Sequence, residues 1–307
     1  MDRRRIGSLE VSVVGVGCNN FGTRLDEAGT SRVVHAALDA GIDLFDTADI
    51  YGRGQSESFL GAALGKRRGD AVIATKFGMR MDDERRGARP DYIRRAVEDS
   101  LRRLGTDRID LYQLHQPDPE VPVADTLGAL DELVRAGKVR EIGCSNFSAA
   151  QLREADDVSA GRGAARFVSV QNQYSLLHRE PEAGVLAECE RIGAGFLPYY
   201  PLANGLLTGK YRRGEPPPEG TRLADPKRAE QFSDDRLARM EALRHFARSR
   251  GHSLLELAFA WLLARPVVAS VIAGATKPEQ VGGNAAAATW TLSDEDLAAV
   301  DTIVPPP

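Results

Sequence analysis

The sequence predicts an α/β chain folded as a single (β/α)8 barrel of the TIM type over residues 1–307, with its active site at the C-terminal rim of the strands. Three observations predict it. Short apolar runs alternate with amphipathic, helix-like segments along the whole chain, with no composition shift or long linker. Strict alternation implies parallel pairing with right-handed crossovers, and eight such units over roughly 250–300 residues match a closed barrel better than an open doubly wound sheet. Finally, Asp46, Lys76 and His115 each stand where an apolar run stops, as side chains that converge on one rim must.

Taken in order, Ser12–Val16 reads as the first strand and Ser31–Ala40 as a helix ended by Gly41. Ile42–Phe45 is strand, and Ser56–Leu64 is a helix that Ser56 can cap and Gly65 closes. Ala71–Thr75 is strand; Pro90–Leu104 is helix, with Pro90 in a tolerated first-turn position. Its apolar residues Ile93, Val97, Leu101 and Leu104 recur at helical spacing. Ile109–Leu114, Val139–Cys144, Phe167–Gln171 and Ala194–Tyr199 are further buried strands. The helices between them run near Ala124–Arg135, Ala149–Glu154 and Ala183–Arg191. Asp234–Arg250 and Leu254–Ala264 are helical, Val268–Ala273 is strand, and Pro278–Ala288 is helical. One long irregular insert, Lys210–Gln231, follows the seventh strand on the active rim and is expected to cover a cofactor or substrate.

Composition narrows the function classes. An apolar content of 42% supports a sizeable core, and 27% charged residues is ordinary for a soluble protein. A net charge of −4 gives no case for a nucleic-acid surface. Cys18, Cys144 and Cys189 lack metal-ligand spacing and suggest a reducing compartment; no metal is expected. No apolar stretch approaches the roughly 20 residues of a membrane helix, and the first residues lack a signal-peptide core. A cytoplasmic location without a membrane partner is the expectation; the oligomeric state is not encoded.

Two motifs fail on inspection. Gly15-Val-Gly17-Cys-Asn-Asn20 begins like a dinucleotide fingerprint but ends in Asn, and no helix opens there. Gly143-Cys-Ser145-Asn-Phe147 resembles a nucleophile elbow until Phe147 replaces the last glycine. Ser145 and Asn146 serve better as hydrogen-bonding groups for a carboxamide. The stronger signal is Asp46, Tyr51, Lys76 and His115. A free tyrosine has a pKa of about 10, so it is a poor acid near neutral pH unless its anion is stabilised. Lys76 can stabilise it, Asp46 can hold the ammonium charged in a low-dielectric pocket, and His115 offers a second donor to a substrate oxygen.

The chain resembles the aldo-keto reductase superfamily across nearly its whole length. The resemblance rests on Gly15–Gly22, Phe45-Asp-Thr-Ala-Asp-Ile-Tyr-Gly52, Ala74-Thr-Lys-Phe77, Asp110-Leu-Tyr-Gln-Leu-His115 and Gly143–Phe147. It continues through Val170–Tyr174, Tyr199–Lys210 and Ile272–Gln280 with Asn284. It implies that Tyr51 donates the proton, Lys76 lowers its pKa, Asp46 pairs with Lys76, and His115 orients the carbonyl. It implies an NAD(P)H site along the rim, beginning at Gly17, Cys18, Asn19 and Asp46. The nicotinamide would stack on Tyr199, its carboxamide held by Ser145, Asn146 and Gln171. Tyr200, Pro201, Leu202, Ala203, Asn204 and Lys210 match the pyrophosphate loop. Gly274, Ala275, Thr276, Lys277, Gln280 and Asn284 match the adenosine-phosphate loop.

Four positions depart from the pattern: Cys18 for a common threonine, Tyr200 for serine, Gln280 for an arginine, and Gly283 for a glutamate. Lys277, Thr276 and Arg222 are then the expected phosphate partners, and NADPH is preferred over NADH. Asn19, Asn20, Phe21, Phe77 and Tyr200 are expected to line the substrate pocket, which the short tail Val304-Pro-Pro-Pro307 leaves open. The resemblance implies a small-molecule aldehyde or ketone as substrate. Its alternatives are a sugar or alcohol dehydrogenase in the oxidative direction and a cofactor-sensing regulatory subunit, as in potassium-channel β-subunits.

Overall fold

Eight parallel strands close on themselves in the computed structural model, which describes residues 1–225, 227–228 and 232–307. They are β3 (Val14–Gly17), β4 (Leu44–Asp46), β5 (Val72–Phe77), β6 (Ile109–Leu114), β7 (Val139–Ser145), β8 (Phe167–Gln171), β9 (Gly195–Phe196) and β10 (Val271–Gly274). Spatial order follows chain order, with β10 returning to pair with β3. The ring closes where Phe196 bridges Val268 in parallel and its amide donates to Val267 O at 2.7 Å. The (β/α)8 prediction stands.

The strands are short and apolar because both of their faces are covered. Along β4 and β5, Leu44 and Ala74 face the barrel interior, while Phe45 and Ile73 face the surrounding helices. One step up, the same inward positions become Asp46 and Lys76, so the interior changes from hydrocarbon to charge toward the C-terminal rim. The outer ring comprises α1 (Glu27–Asp39), α2 (Gln55–Leu64), α3 (Pro90–Leu104), α4 (Val123–Arg135), α5 (Ala149–Arg162) and α6 (Val185–Ile192). It is completed by α7 (Asp234–Ser249), α8 (Leu254–Leu263) and α9 (Pro278–Ala287), with α10 (Asp294–Ile303) behind α7.

Several boundaries differ from the sequence reading. The N-terminal stretch is an antiparallel hairpin, β1 (Arg3–Ile6) and β2 (Leu9–Ser12), turned at Gly7 with φ of 57°. Ile6, Leu9 and Val11 pack with Leu44, Ala74 and Leu111, so the hairpin plugs the bottom of the barrel. Its three consecutive arginines hid the strand pattern; Arg4 donates to the carbonyls of Leu263, Arg265 and Val268. Ser12 therefore belongs to the hairpin rather than the first barrel strand. The seventh strand shrinks to Gly195–Phe196 because Pro198 has no amide hydrogen to donate to the ladder. The first helix starts at Glu27, capped by Asp26. The helix at Ala149 extends to Arg162, and that at 183 begins as a 3-10 turn, Glu180–Ala183. α10 was not expected from the sequence, although Ser293 and Asp296 form a capping box at its start.

Ser56 does not cap its helix. It lies in the first turn, where its hydroxyl donates to Cys18 O at 2.9 Å and bonds Thr47 Oγ1 at 2.8 Å. The expected covering insert does cross the rim: Arg24 donates to Gly220 O at 2.8 Å, and Arg222 to Asn20 Oδ1 at 3.0 Å. Its far end, Gln231, lies outside the described residues. At the opposite rim a cavity of about 570 Å3 is lined by arginines and aspartates, including Arg68, Asp110 and Arg140. Asp110 is buried there and takes Arg68 at 2.7 Å and Arg140 at 3.2 Å. Those charges are matched internally, and the N-terminal end of a barrel is where side chains serve stability.

Candidate active site

Asp46 ends β4, Lys76 lies one residue from the end of β5, and His115 follows β6 directly. Adjacent parallel strands thus deliver three ionisable groups to one rim. Tyr51 arrives from the 3-10 segment Tyr51–Gly54, which follows β4. The peptide after it turns back through left-handed Gly52 (φ 56°) and Arg53 (φ 56°).

Lys76 Nζ donates to Asp46 Oδ2 at 2.6 Å and to Thr47 O at 2.9 Å. Both side chains are sealed from solvent, at 0% and 5% exposed, so this is a true buried ion pair. The ammonium lies 5.3 Å from the Tyr51 ring centre. The Tyr51 and His115 rings meet edge to face, their centres 5.8 Å apart. The structure therefore gathers Asp46, Tyr51, Lys76 and His115 into one pocket.

The electrostatics correct one expectation. Burial, and next the Asp46 carboxylate, push the Tyr51 phenol well above its ordinary pKa rather than below it. The physical reason is burial first: a phenolate sealed from water is disfavoured, and the neighbouring Asp46 carboxylate, paired with Lys76 at 2.6 Å, adds to that cost. Tyr51 is therefore held protonated at neutral pH. Burial, then Lys76, pulls His115 down to about 3, so its imidazole is neutral throughout the working range. Its Nδ1 is buried and has no hydrogen-bond partner among the described residues.

The groups expected around the nicotinamide bond chiefly to one another. Ser145 donates to Gln171 O at 2.6 Å, Gln171 Nε2 to Asp46 Oδ1 at 2.9 Å, and Asn146 Nδ2 to His115 O at 2.9 Å. Tyr199 donates to Asn146 Oδ1 at 2.9 Å. Asn146 adopts φ of 62°, a strained backbone for a residue with a side chain. Gly17 pairs with Gly274 and Asp46 across the first strand; Cys18 is buried, and Asn19 is half-buried above it.

Further along, Tyr200, Ala203 and Asn204 all have positive φ (51°, 46° and 58°) around Pro201 and Leu202. Lys210 has no carboxylate partner among the described residues, and burial, then Arg24 and Arg222, lower its pKa. Among the described residues, Arg24, Arg222 and Lys210 thus lie near one another with no carboxylate partner for Lys210, an arrangement that could hold an anion. Past Gly274 and buried Ala275, α9 opens with Lys277 exposed and no side-chain cap. Asn284 is buried with no side-chain hydrogen bond among the described residues. Gln280 is exposed at the helix start, where its Oε1 accepts from Thr276 N at 2.7 Å.

Two expected lining residues are elsewhere. Phe77 is fully buried on the helix-facing side of β5, stacked on Tyr112 at 4.7 Å, and Phe21 is fully buried in the same outer core. The period-two alternation that points Lys76 inward must point Phe77 outward. Asn20 is 4% exposed and serves as the tie to Arg222, leaving Asn19 and Tyr200 at the mouth. Sequence reasoning assigned no role to Gln113, which donates to Asp46 Oδ1 at 3.3 Å. The signal was available: a lone amide in an apolar strand, two residues before His115 and so on its face.

Residues 13–305 match the model of the aldo/keto reductase family. The chain belongs to that family. It is 38% identical to the Bacillus subtilis oxidoreductase YrpG over 97% of this chain and 94% of that one. It is 37% identical to the B. subtilis aldo-keto reductase YhdN, covering 96% and 91%. A probable voltage-gated potassium channel β-subunit of Oryza sativa is 34% identical over 90% and 87%. This aldo/keto reductase is thus an oxidoreductase of a family that works with nicotinamide cofactors. Among the described residues, no helix is long and apolar enough to cross a membrane.

Behind Tyr51 the chain buries a second charged cluster. Glu57 accepts from Arg103 and from Thr75, each at 2.6 Å, while Tyr92 donates to Asp49 Oδ2 at 3.3 Å. Asp49 Oδ1 has no partner among the described residues. Burial, and then Glu57, raise the Asp49 carboxyl to about 7. A carboxyl raised on folding favours the fold while protonated, and that contribution is lost as pH rises from 3.8 through 7. Asp49→Asn is therefore expected to raise stability at pH 8 by about 2–4 kcal/mol and to change it little at pH 4. Denaturant midpoints at the two pH values check this; an equal shift at both contradicts it.

Proposed function

We propose that this chain reduces aldehydes and some ketones to alcohols with NADPH, Tyr51 being the proton donor. The observation that carries the reading is the sealed Asp46–Lys76 pair at 2.6 Å beneath the Tyr51 and His115 rings. A tyrosine kept protonated at neutral pH holds its proton until the carbonyl oxygen gains charge. Lys76 then stabilises the phenolate that forms, and Asp46 keeps Lys76 charged in a low-dielectric pocket. His115, neutral, orients the carbonyl oxygen by hydrogen bonding and does not itself titrate.

Gly17 to Asn19, Ser145, Asn146, Gln171 and Tyr199 would hold the nicotinamide half of the cofactor. Tyr200 to Asn204 with Lys210 would hold the pyrophosphate. Gly274 to Lys277, Gln280 and Asn284 would hold the adenosine end. The chemistry that NADPH supplies when bound is hydride donation to a carbonyl carbon. Lys277 and Arg222, cationic near that end, favour NADPH over NADH. The whole chain, 1–307, is proposed to act as one cytoplasmic domain on small molecules, without nucleic-acid or membrane partners.

A second reading has one observation in its favour, the similarity to a channel β-subunit: a cofactor-sensing regulatory role on the same fold. Tyr51→Phe separates the two. Reduction of para-nitrobenzaldehyde is expected to fall by about 10²–10³-fold while NADPH still quenches protein fluorescence. A near wild-type rate would overturn the assignment, and tighter binding of NADH would overturn the cofactor preference. In the unmodified protein, kcat/KM for reduction should stay flat from about pH 6 to 9, because His115 titrates far below that range and Tyr51 above it. Oxidation of the alcohol, which needs the phenolate, should climb over the same range. An inflection in reduction near pH 6.5 would contradict the neutral imidazole.

A further inference from the structure

We infer that Gln113 is a positioning residue of this site, one of two amides that clamp Asp46 so that its second oxygen faces Lys76. The inference rests on the reading of Asp46, Lys76 and Tyr51 given above.

Gln113 is fully buried in β6, whose neighbours Leu111, Tyr112 and Leu114 are all apolar. A leucine would fill the same volume without placing an amide in a low-dielectric interior, where an unpartnered amide is strongly disfavoured. The amide is partnered. It sits opposite Lys76 in the sheet register and donates to Asp46 Oδ1 at 3.3 Å. Gln171 Nε2 reaches the same oxygen from β8 at 2.9 Å. An ionised carboxylate only accepts hydrogen bonds, so both amides must present their nitrogens to it. With Oδ1 held from two strands, the carboxylate cannot rotate, and Oδ2 is left to Lys76 at 2.6 Å.

The other end of Gln113 is held as well. Ser169 Oγ donates to Gln113 Oε1 at 3.5 Å. On the strand between them, Gly143 makes the arrangement possible. A Cβ there would stand 2.0 Å from Ser169 Oγ and 3.2 Å from Gln113 Cγ. Three strands thus cooperate to fix one amide, none of whose atoms reaches the pocket mouth. Gln113 acts through Asp46 on the Lys76 ammonium, and through that on the proton affinity of Tyr51. A clamp of this kind alters the chemical step without altering how tightly substrate or cofactor is held.

Two variants test it. Gln113→Leu removes the donor at similar volume and is expected to lower kcat for para-nitrobenzaldehyde reduction about 10–100-fold, the loss of one hydrogen bond to a charged group. KM and the NADPH dissociation constant should stay within about twofold, and the alkaline limb of alcohol oxidation should move to higher pH. Gln113→Glu keeps the shape. Its protonated form still donates to Asp46, so activity should be near normal at low pH and fall as the new carboxyl ionises, a limb the unmodified protein lacks. Wild-type kcat and pH profile in Gln113→Leu overturn the inference. If that variant does not fold, a pH-independent Gln113→Glu overturns it instead. Tyr51→Phe is measured in parallel. Should Tyr51→Phe retain its rate, the proton-donor reading itself fails; should it be inactive while both Gln113 variants behave as wild type, only the clamp fails.

Discussion

Lys76→Met is expected to lower kcat for carbonyl reduction by about 10³–10⁴-fold, more than loss of the Tyr51 hydroxyl, because it does two kinds of damage. It removes the charge that stabilises the phenolate, and it leaves the phenol facing an uncompensated Asp46 carboxylate. Asp46 already ranks second after burial among the influences that raise the Tyr51 pKa. The same variant should lose about 3 kcal/mol of stability at pH 8, since a buried carboxylate then lacks its partner. Asp46 will take up a proton to escape that state, so its folded pKa rises. A raised carboxyl stabilises the fold below its unfolded value and loses that contribution as pH climbs, so the deficit should shrink toward pH 5. The double variant Asp46→Asn with Lys76→Met removes the orphan charge. It should recover most of the stability and none of the activity. Denaturant unfolding and steady-state kinetics on the three proteins decide the matter. Activity returning along with stability in the double variant would show that Lys76 serves the fold rather than the proton transfer.

How much of this site was legible follows from which forces wrote it. Asp46, Lys76 and His115 were visible because each interrupts an apolar run at a strand end, and a buried charge has few structural excuses. The barrel was visible because βα alternation has only a few topological outcomes. Phe77 was misplaced because the eye groups it with Lys76, its neighbour in sequence, whereas the pleat sends neighbours to opposite faces. The same rule, applied two residues back from His115, points to Gln113. The direction of the Tyr51 shift was not legible at all. It depends first on how deeply the fold buries the phenol and next on the Asp46 carboxylate brought beside it, neither of which a strand-end pattern displays. The hairpin plug stayed hidden because Arg3, Arg4 and Arg5 mask the alternation that Ile6, Leu9 and Val11 complete on the far side of the turn.

Gly61→Ala should destabilise the barrel even though helix propensity predicts the reverse. Gly61 lies in the middle of α2 with an ordinary helical backbone, where alanine is normally better by about 1 kcal/mol. A Cβ at this position, however, would stand 2.2 Å from Leu104 O and 2.6 Å from Leu104 C. Those are backbone atoms at the last residue of α3, which left-handed Gly105 closes. No rotamer change can relieve such a contact, so either α2 and α3 separate or the last turn of α3 unwinds. Overpacking of this kind outweighs the propensity gain and should leave a net loss of about 2–3 kcal/mol. Gly128 is the matched control. It too is inside a helix, α4, but a Cβ there meets nothing within 4 Å. Gly128→Ala should be neutral or more stable by up to about 1 kcal/mol. The thermal midpoint is therefore expected to fall by about 3–5 °C for Gly61→Ala and to hold or rise slightly for Gly128→Ala. Two alanines that behave alike would mean that the α2–α3 approach is looser than the backbone geometry implies. The segment that carries Tyr51 would lose support in that case, because α2 continues directly from it.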